Sequence, residues 1–213
     1  MKTIVKEIAI GYSFKPEMGC FGFSSSLLVN SNKKILFDVG GYNIRSLIKP
    51  LINEIDCVFI SHLHFDHCSN LDLFVDTNIP IYISKKELDY YEKYKDIDTD
   101  LFSYFELIKD RLNIVEVQEE IEIDKGIRIL FTNGHTPGHM SLVIEKENTI
   151  LAGDALKTYK DYLDVNAYGN AFNKDDYVSS KKKIIDNFNI IYPGHSGKIV
   201  NGKLERRMEV REF

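Results

Sequence analysis

The stretch Cys57-Val58-Phe59-Ile60-Ser61-His62-Leu63-His64-Phe65-Asp66-His67 joins an apolar segment to three histidines and an aspartate. Because alternate residues of an extended segment point to the same side, His62 and His64 can bind one ion together. Asp66 and His67 are adjacent where the backbone must turn, so they face elsewhere and can bind a second ion. The stretch therefore predicts a metal site that directly follows a buried strand.

The other histidines support this prediction. All six histidines of the chain fall in three short segments: the run itself, Gly-His-Thr-Pro-Gly-His at 134–139, and Pro-Gly-His at 193–195. Such clustering predicts that the three segments meet at one site. Imidazoles and carboxylates are ligands that suit zinc, iron or manganese.

Length and composition predict one globular domain that covers residues 1–213, since 44% of the 213 residues are hydrophobic and 28% are charged. Lys6 and Glu7 interrupt the apolar start that a signal peptide needs, and no apolar run approaches the ~20 residues of a membrane helix. We therefore expect a cytoplasmic protein without a membrane partner. An odd number of cysteines without Cys-x-x-Cys spacing predicts reduced thiols.

The charge of the chain bears on its partners. A formal net charge of −5 disfavours nucleic acid, because such binding draws its affinity from clustered Lys and Arg. We expect a small-molecule substrate instead. The sequence does not indicate the oligomeric state.

Hydrophobic periodicity predicts the order of the secondary-structure elements. Strands are predicted over 3–14, 25–29, 34–39, 56–60, 79–83, 114–117, 126–131, 139–145, 149–151 and 190–192. Helices are predicted over 44–51, 85–95, 100–111 and 175–188, the last capped by Asp175 or Asn173. This order predicts an α/β (α+β) fold: a four-layer αββα sandwich of two similar halves, with the metal cleft between the sheets.

The ordered set His62-x-His64-x-Asp66-His67, His135, Asp154 and His195 resembles the metallo-β-lactamase-fold hydrolase superfamily over residues 62–195. The resemblance implies that His62, His64 and His135 hold one ion, and that Asp66, His67 and His195 hold the other. It implies that Asp154 bridges them. Two divalent ions are expected, with zinc as the first choice and iron or manganese as alternatives.

The resemblance also implies the chemistry. A hydroxide that bridges the two ions would be the nucleophile, and Asp66 would be the catalytic group that passes its proton to the leaving group. His139 has no place among the ligands of that family, so we expect it to support the ligands or pack their loop. Cys68 is expected to be a small buried residue.

Within the superfamily, the pattern is closest to compact lactonase-like or thioesterase-like members, because the exported β-lactamases lack the bridging carboxylate that Asp154 matches. We therefore expect hydrolysis of a small lactone, thioester or ester. A phosphodiesterase or nuclease on the same fold, and an iron-dependent oxygenase, are the alternatives. Lys157 stands where the lactonases have a catalytic Tyr, so Tyr159 and Tyr162 are candidates for that role. About half of the aromatic residues between 90 and 105 are expected to line the cleft.

Overall fold

The computed structural model describes residues 3–14, 21–97 and 99–205, so Cys20 lies outside the described residues. The strands are β1 (Ile4–Ala9), β2 (Tyr12–Phe14), β3 (Phe21–Phe23), β4 (Ser26–Asn30), β5 (Lys34–Phe37), β6 (Cys57–Phe59), β7 (Ile81–Ser84), β8 (Ile114–Val117), β9 (Glu122–Asp124), β10 (Ile127–Phe131), β11 (Met140–Ile144), β12 (Thr149–Gly153), β13 (Ile190–Pro193), β14 (Ile199–Val200) and β15 (Lys203–Leu204). The α-helices are α1 (Arg45–Ile48), α2 (Phe65–Cys68), α3 (Lys85–Tyr94), α4 (Thr99–Ile108), α5 (Tyr159–Leu163) and α6 (Lys174–Asn187).

The strands form two large sheets that divide the chain near residue 120. The first sheet has the order β1-β4-β5-β6-β7-β8, and the second has the order β15-β14-β13-β12-β11-β10-β9. Strands β5 to β8 run parallel, as do β12 and β13, whereas the other pairs of the large sheets are antiparallel. The β2–β3 hairpin forms a small sheet of its own.

The two sheets pack face to face. Phe37 and Phe59 of the first sheet lie in one buried cluster with Leu142 and Leu151 of the second. The central strands are apolar on both faces, because one face packs against the other sheet and the opposite face packs against helices. Burial of these apolar side chains stabilises the packing of the two sheets against each other.

Helices cover the outer face of each sheet. Ile48 of α1, Tyr91 of α3 and Phe105 of α4 pack against the first sheet. Ile184 of α6 packs against the second sheet, together with Leu156. The four-layer αββα architecture predicted from the sequence is therefore confirmed.

Some predicted elements differ from the structure in detail. The strand predicted over 3–14 forms two separate strands, β1 and β2, and at Gly11 between them the backbone passes so close to the carbonyl of Gly194 that no Cβ would fit. The helix predicted over 44–51 is α only in α1, and a 3-10 helix follows from Lys49 to Glu54, since Pro50 offers no N–H to continue the α-helix. The cap of α6 is Asn173, one of the two predicted candidates, whose side-chain oxygen accepts from the N–H groups of Asp175 and Asp176.

Within the described residues, no helix has the length and apolar character needed to cross a membrane. Cys57 and Cys68 are buried free thiols, as expected. Burial raises the pKa of the Cys57 thiol to about 11 and raises that of Cys68 further, so neither thiolate forms readily.

Candidate metal centre

The ligand candidates follow strand ends that meet at one edge of the sandwich. Strand β6 leads into the run from His62 to His67, and α2 begins within it at Phe65. Strands β12 and β13 are parallel neighbours and lead to Asp154 and His195 respectively. Because the carboxyl ends of parallel strands lie at the same edge, these segments are brought together. His135 reaches the same edge from the turn between β10 and β11.

The first donor group contains His62, His64, His135 and Asp154, each of which offers one atom within 4.8 Å of the others. His64 Nδ1 lies 2.9 Å from His62 Nε2 and 3.0 Å from His135 Nε2. His135 Nε2 lies 3.2 Å from Asp154 Oδ2. Two ligands about 2.0–2.1 Å from a tetrahedral zinc ion lie roughly 3.3 Å apart, so these separations fit one ion.

The second donor group contains Asp66, His67 and His195. Asp66 Oδ2 lies 3.2 Å from His195 Nε2 and 3.8 Å from His67 Nε2. Two of the seven candidates are carboxylates. The side chain of Asp66 is 26% exposed, whereas that of Asp154 is 1% exposed. The structure thus brings together all seven residues that the sequence singled out.

Asp154 lies between the two groups. Its Oδ2 faces His135, while its Oδ1 lies 3.3 Å from His67 Nε2 and 3.2 Å from His195 Nε2. These last three atoms, Asp154 Oδ1, His67 Nε2 and His195 Nε2, are buried and have no hydrogen bond to any described residue. Buried polar atoms that converge without hydrogen bonds are costly unless a cation joins them, so the residues fit a second ion.

Burial prepares the three imidazoles of the first donor group for metal binding, whereas at His67 the carboxylates of Asp66, Asp154 and Asp38 outweigh burial and raise the pKa well above its ordinary range. Burial lowers the pKa of His64 to about 4 and lowers the pKa values of His62 and His135 well below their ordinary range. Burial alone would raise the pKa of the Asp154 carboxyl, but the charges of His195 and Lys157 outweigh it and hold that pKa well below its usual range. Neutral imidazoles and an ionised carboxylate are the forms that bind a metal ion.

Asp38 is a buried residue that the sequence did not single out. It follows β5 with a left-handed φ of 50°, and its carboxylate accepts from His67 Nδ1 at 2.7 Å. It also accepts from the Ser61 N–H at 2.7 Å and the Ser61 hydroxyl at 2.8 Å. By holding the Nδ1 proton, Asp38 leaves the Nε2 lone pair of His67 directed at the second donor group.

His139 lies behind the ligands, as the sequence predicts. Its Nε2 accepts from the N–H of Asp154 at 3.1 Å. Its Nδ1 must therefore carry the proton, and it donates to the Thr132 hydroxyl at 2.9 Å. The ring thus orients Asp154 through the backbone, and burial keeps it neutral by lowering its pKa to about 3.

Glu87 is a second buried carboxylate that the sequence did not reveal. From the first turn of α3 it accepts from the Leu63 N–H at 3.1 Å, the Thr136 hydroxyl at 2.7 Å and the Gly138 N–H at 3.1 Å. A side chain at Gly138 would collide with the backbone of Glu87, so glycine is required there. Glu87 therefore ties the His62–His64 segment to the segment that carries His135.

We expect Glu87→Gln to lower the free energy of unfolding by about 1–3 kcal/mol, because one amide oxygen cannot accept from three donors. Burial raises the pKa of Glu87 to about 7, from 4.5 when unburied. Between these pH values the folded protein keeps a proton that the unfolded chain releases, so this contribution to stability falls as pH rises. Wild type should thus lose stability relative to Glu87→Gln between about pH 4.5 and about pH 7 in denaturant titrations.

The exposed neighbour Asp89 on α3 provides the control. Asp89→Asn should run parallel to wild type across this pH range. Parallel curves for Glu87→Gln as well would show that Glu87 does not titrate in the folded protein.

A cavity of about 500 Å³ opens onto the donor groups. Its lining includes four of the ligand candidates and five other residues: Ser13, Gly22, Phe65, Lys157 and Asn170. Lys157 Nζ lies 3.1 Å from Asp154 Oδ2, and the Lys157 side chain is 31% exposed. The cavity is the place where a substrate would meet the metal ions.

The tyrosines considered as alternatives to Lys157 lie elsewhere. Tyr159 and Tyr162 stack on each other and pack against the core beneath α6, and the Tyr159 hydroxyl donates to the Gly202 carbonyl at 3.1 Å. About half of the aromatic residues of α3 and α4 are expected to line the cleft, and the structure differs from this expectation. Tyr91 and Phe105 pack edge to face in the core, and no residue described in that stretch lines the cavity.

Comparisons with known proteins agree with this geometry. The sequence profile of the Metallo-beta-lactamase superfamily matches residues 19–195. A beta-lactamase-like protein 2 homolog of Caenorhabditis elegans is 28% identical over 87% of the chain and 59% of its own length. A probable metallo-hydrolase of Methanocaldococcus jannaschii is 29% identical over 82% of the chain and 89% of its own length.

An N-acyl homoserine lactonase of Bacillus cereus is 32% identical over 60% of the chain and 48% of its own length. The chain thus spans only about half to three fifths of two of these relatives. Among solved structures, an N-acyl homoserine lactone hydrolase with a bound product superposes with a TM-score of 0.67 at 21% identity, covering 91% of this chain and 92% of that one. This likeness concerns the fold.

Proposed function

The chain belongs to the metallo-beta-lactamase superfamily, and on that premise we propose that it is a hydrolase that uses two divalent metal ions to cleave a small acyl substrate. The position of Asp154 carries the proposal. One carboxylate oxygen faces the first donor group and the other faces the second. A carboxylate buried in this way would contribute one oxygen to each of two cations.

The seven ligand candidates form two sets, one for each proposed ion. His62, His64 and His135 would hold one ion, and Asp66, His67 and His195 would hold the other, with Asp154 between them. Two such ions would lower the pKa of a shared water from 15.7 toward about 7, which would supply a nucleophile at neutral pH.

The two acidic residues differ in what they can do. Asp154 is sealed from the cavity, so it can bind but cannot exchange a proton with the substrate. Asp66 lines the cavity and is partly exposed. Asp66 is therefore the group that takes the proton of the nucleophile and passes it to the leaving group.

The cavity and the charge of the chain favour a small acyl substrate. A volume of about 500 Å³ matches the usual size of small-molecule sites. The acidic chain offers no excess of Lys and Arg for a polyanion. One relative is named as an N-acyl homoserine lactonase, and this similarity supports a lactone, thioester or ester as the substrate class.

We expect about two equivalents of zinc, iron or manganese per chain after gentle purification, measured by elemental analysis. A single ion would leave three of the seven ligand candidates without a metal partner, so we expect both positions to be filled. Reproducible binding of one ion in the presence of excess metal would rule out the shared nucleophile.

A substrate panel tests the reaction class. The metal-loaded protein should hydrolyse a lactone, a thioester or a carboxylic ester faster than bis(p-nitrophenyl) phosphate. Efficient phosphodiester cleavage without acyl hydrolysis would place the protein in the phosphodiesterase class instead. Oxygen consumption by an iron-loaded preparation would point to the oxygenase alternative.

We expect Lys157→Ala to raise KM by about 10-fold and to lower kcat less, if the best acyl substrate carries a carboxylate or phosphate. The ammonium lies at the cavity beside Asp154 and can pair with such a group as a point charge. The backbone of Lys157 is held in place, because its carbonyl accepts from the His195 N–H at 2.7 Å.

Steady-state kinetics of Lys157→Ala and Lys157→Tyr should be compared with wild type. The exposed Lys160, three residues along, provides Lys160→Ala as the control. Wild-type constants in both Lys157 variants would remove Lys157 from the substrate site.

A further inference from the structure

The segment 164–173, hereafter the cavity loop, joins α5 to α6 and borders the cavity. Its residue Asn170 lines the cavity wall. Near its end, the Phe172 N–H donates to the carbonyl of His135 at 3.1 Å. The cavity loop is thus attached directly to a segment that carries a ligand candidate.

The cavity loop also crosses between the two halves of the sandwich. The ring of Phe172 is half exposed and meets the ring of Tyr90 edge to face, with 5.3 Å between centroids. Tyr90 belongs to α3 of the first half, whereas the cavity loop belongs to the second. The cavity loop therefore contacts both halves of the sandwich at the border of the cavity.

Lys181 on α6 lies beneath the cavity loop and is fully buried. Its ammonium group donates to the carbonyls of Ala167 and Asp164, the latter at 3.4 Å, and both acceptors belong to the cavity loop. The ammonium also lies 4.8 Å from the ring centroid of Tyr177, one turn earlier on the helix. Burying an ammonium is costly, so its acceptors must hold their positions for the charge to remain there.

We propose that Lys181 is a positioning residue that latches the cavity loop, and that this loop forms a substrate-binding wall. The second clause rests on the proposed hydrolase function, whereas the latch does not. An apolar side chain could fill the same space without the cost of a buried charge. The hydrogen bonds from the Lys181 ammonium to two carbonyls of the cavity loop explain why a lysine occupies this position.

Hydrogen exchange of the metal-loaded, full-length protein tests the latch. Lys181→Met keeps the stem and removes the charge, Lys181→Gln keeps a neutral donor, and Lys181→Arg keeps the charge. The exposed neighbour provides Lys182→Met as the matched control. The N–H groups of Ala167 and Ala171 are bonded within the cavity loop and serve as probes.

We expect these amides to exchange roughly 10–100-fold faster in Lys181→Met, the loss that follows from removing hydrogen bonds to a charged group. Amides of β11 and β12 should keep wild-type rates, and Lys181→Gln and Lys181→Arg should fall between. Wild-type exchange of the cavity loop in both Lys181→Met and Lys181→Gln would overturn the latch. If Lys181→Met fails to fold, Lys181→Gln decides alone.

Kinetics test the substrate wall. With two equivalents of metal still bound, Lys181→Met should raise KM for the best acyl substrate by roughly 10-fold and leave kcat nearly unchanged. A fall in kcat at constant KM, or a loss of metal, would contradict that role. If the protein hydrolyses no acyl substrate while the exchange rates change as expected, the proposed function fails and the latch stands.

Discussion

Asp66→Asn should lower kcat by about 10²–10⁴-fold, the usual contribution of a positioned general base. The amide has the same shape as the carboxylate but cannot accept the proton of the nucleophile. Asp66 is singled out because it combines three features: its Oδ2 lies 3.2 Å from His195 Nε2, its side chain is 26% exposed, and it borders the cavity. Asp154, by contrast, is buried.

The measurement is single-turnover kinetics together with the metal content of each preparation, because Asp66 is also a ligand candidate. Asp76→Asn, which changes an exposed carboxylate paired with Arg111, is the control. A variant with full metal content and a less than 10-fold fall in kcat would exclude Asp66 as the base.

His135→Ala should reduce metal affinity and activity far more than His139→Ala, although the two lie four residues apart. His135 contributes Nε2 to the first donor group, 3.0 Å from His64 Nδ1 and 3.2 Å from Asp154 Oδ2. Among the ligand candidates, His139 makes a hydrogen bond only to the backbone N–H of Asp154, and loss of such an outer partner costs about 10–100-fold.

Thr132→Val is a matched variant for His139, because it removes the hydroxyl that accepts the His139 Nδ1 proton. It should have the same direction of effect as His139→Ala and a smaller size. Competition of each variant with a metal-sensitive chelator measures the affinities. The opposite order of His135→Ala and His139→Ala would exchange their roles.

The sequence predicts the order of the strands and the first four ligand candidates for a physical reason. The apolar strands and their period are local signals, and His62, His64, Asp66 and His67 are adjacent in the chain. His135, Asp154 and His195 were found through motif resemblance, because no local rule says which distant histidine completes a set.

The supporting residues could not be predicted in the same way. Glu87 lies in the charged sequence Lys-Lys-Glu-Leu-Asp, which is typical of a solvated helix, and only tertiary contacts bury it. Lys181 likewise stands among lysines on α6. Asp38 ends a strand where a polar residue is common. The hydrogen-bond partners of these three side chains lie 14 to 51 residues away along the chain, from Ala167 for Lys181 to Gly138 for Glu87.

The division of the donor atoms between the two halves has a thermodynamic consequence. Each donor group takes members from both sheets: His62 and His64 join His135, and Asp66 and His67 join His195. His64 and His135 are 71 residues apart, so an ion between them would act as a reversible cross-link that closes a long loop. Ions that bind only the folded chain add RT ln(1 + [L]/Kd) to its free energy of unfolding. The metal site would then also be a cross-link between the two sheets. The concentration of free metal ion would set how much this cross-link adds to the free energy of unfolding.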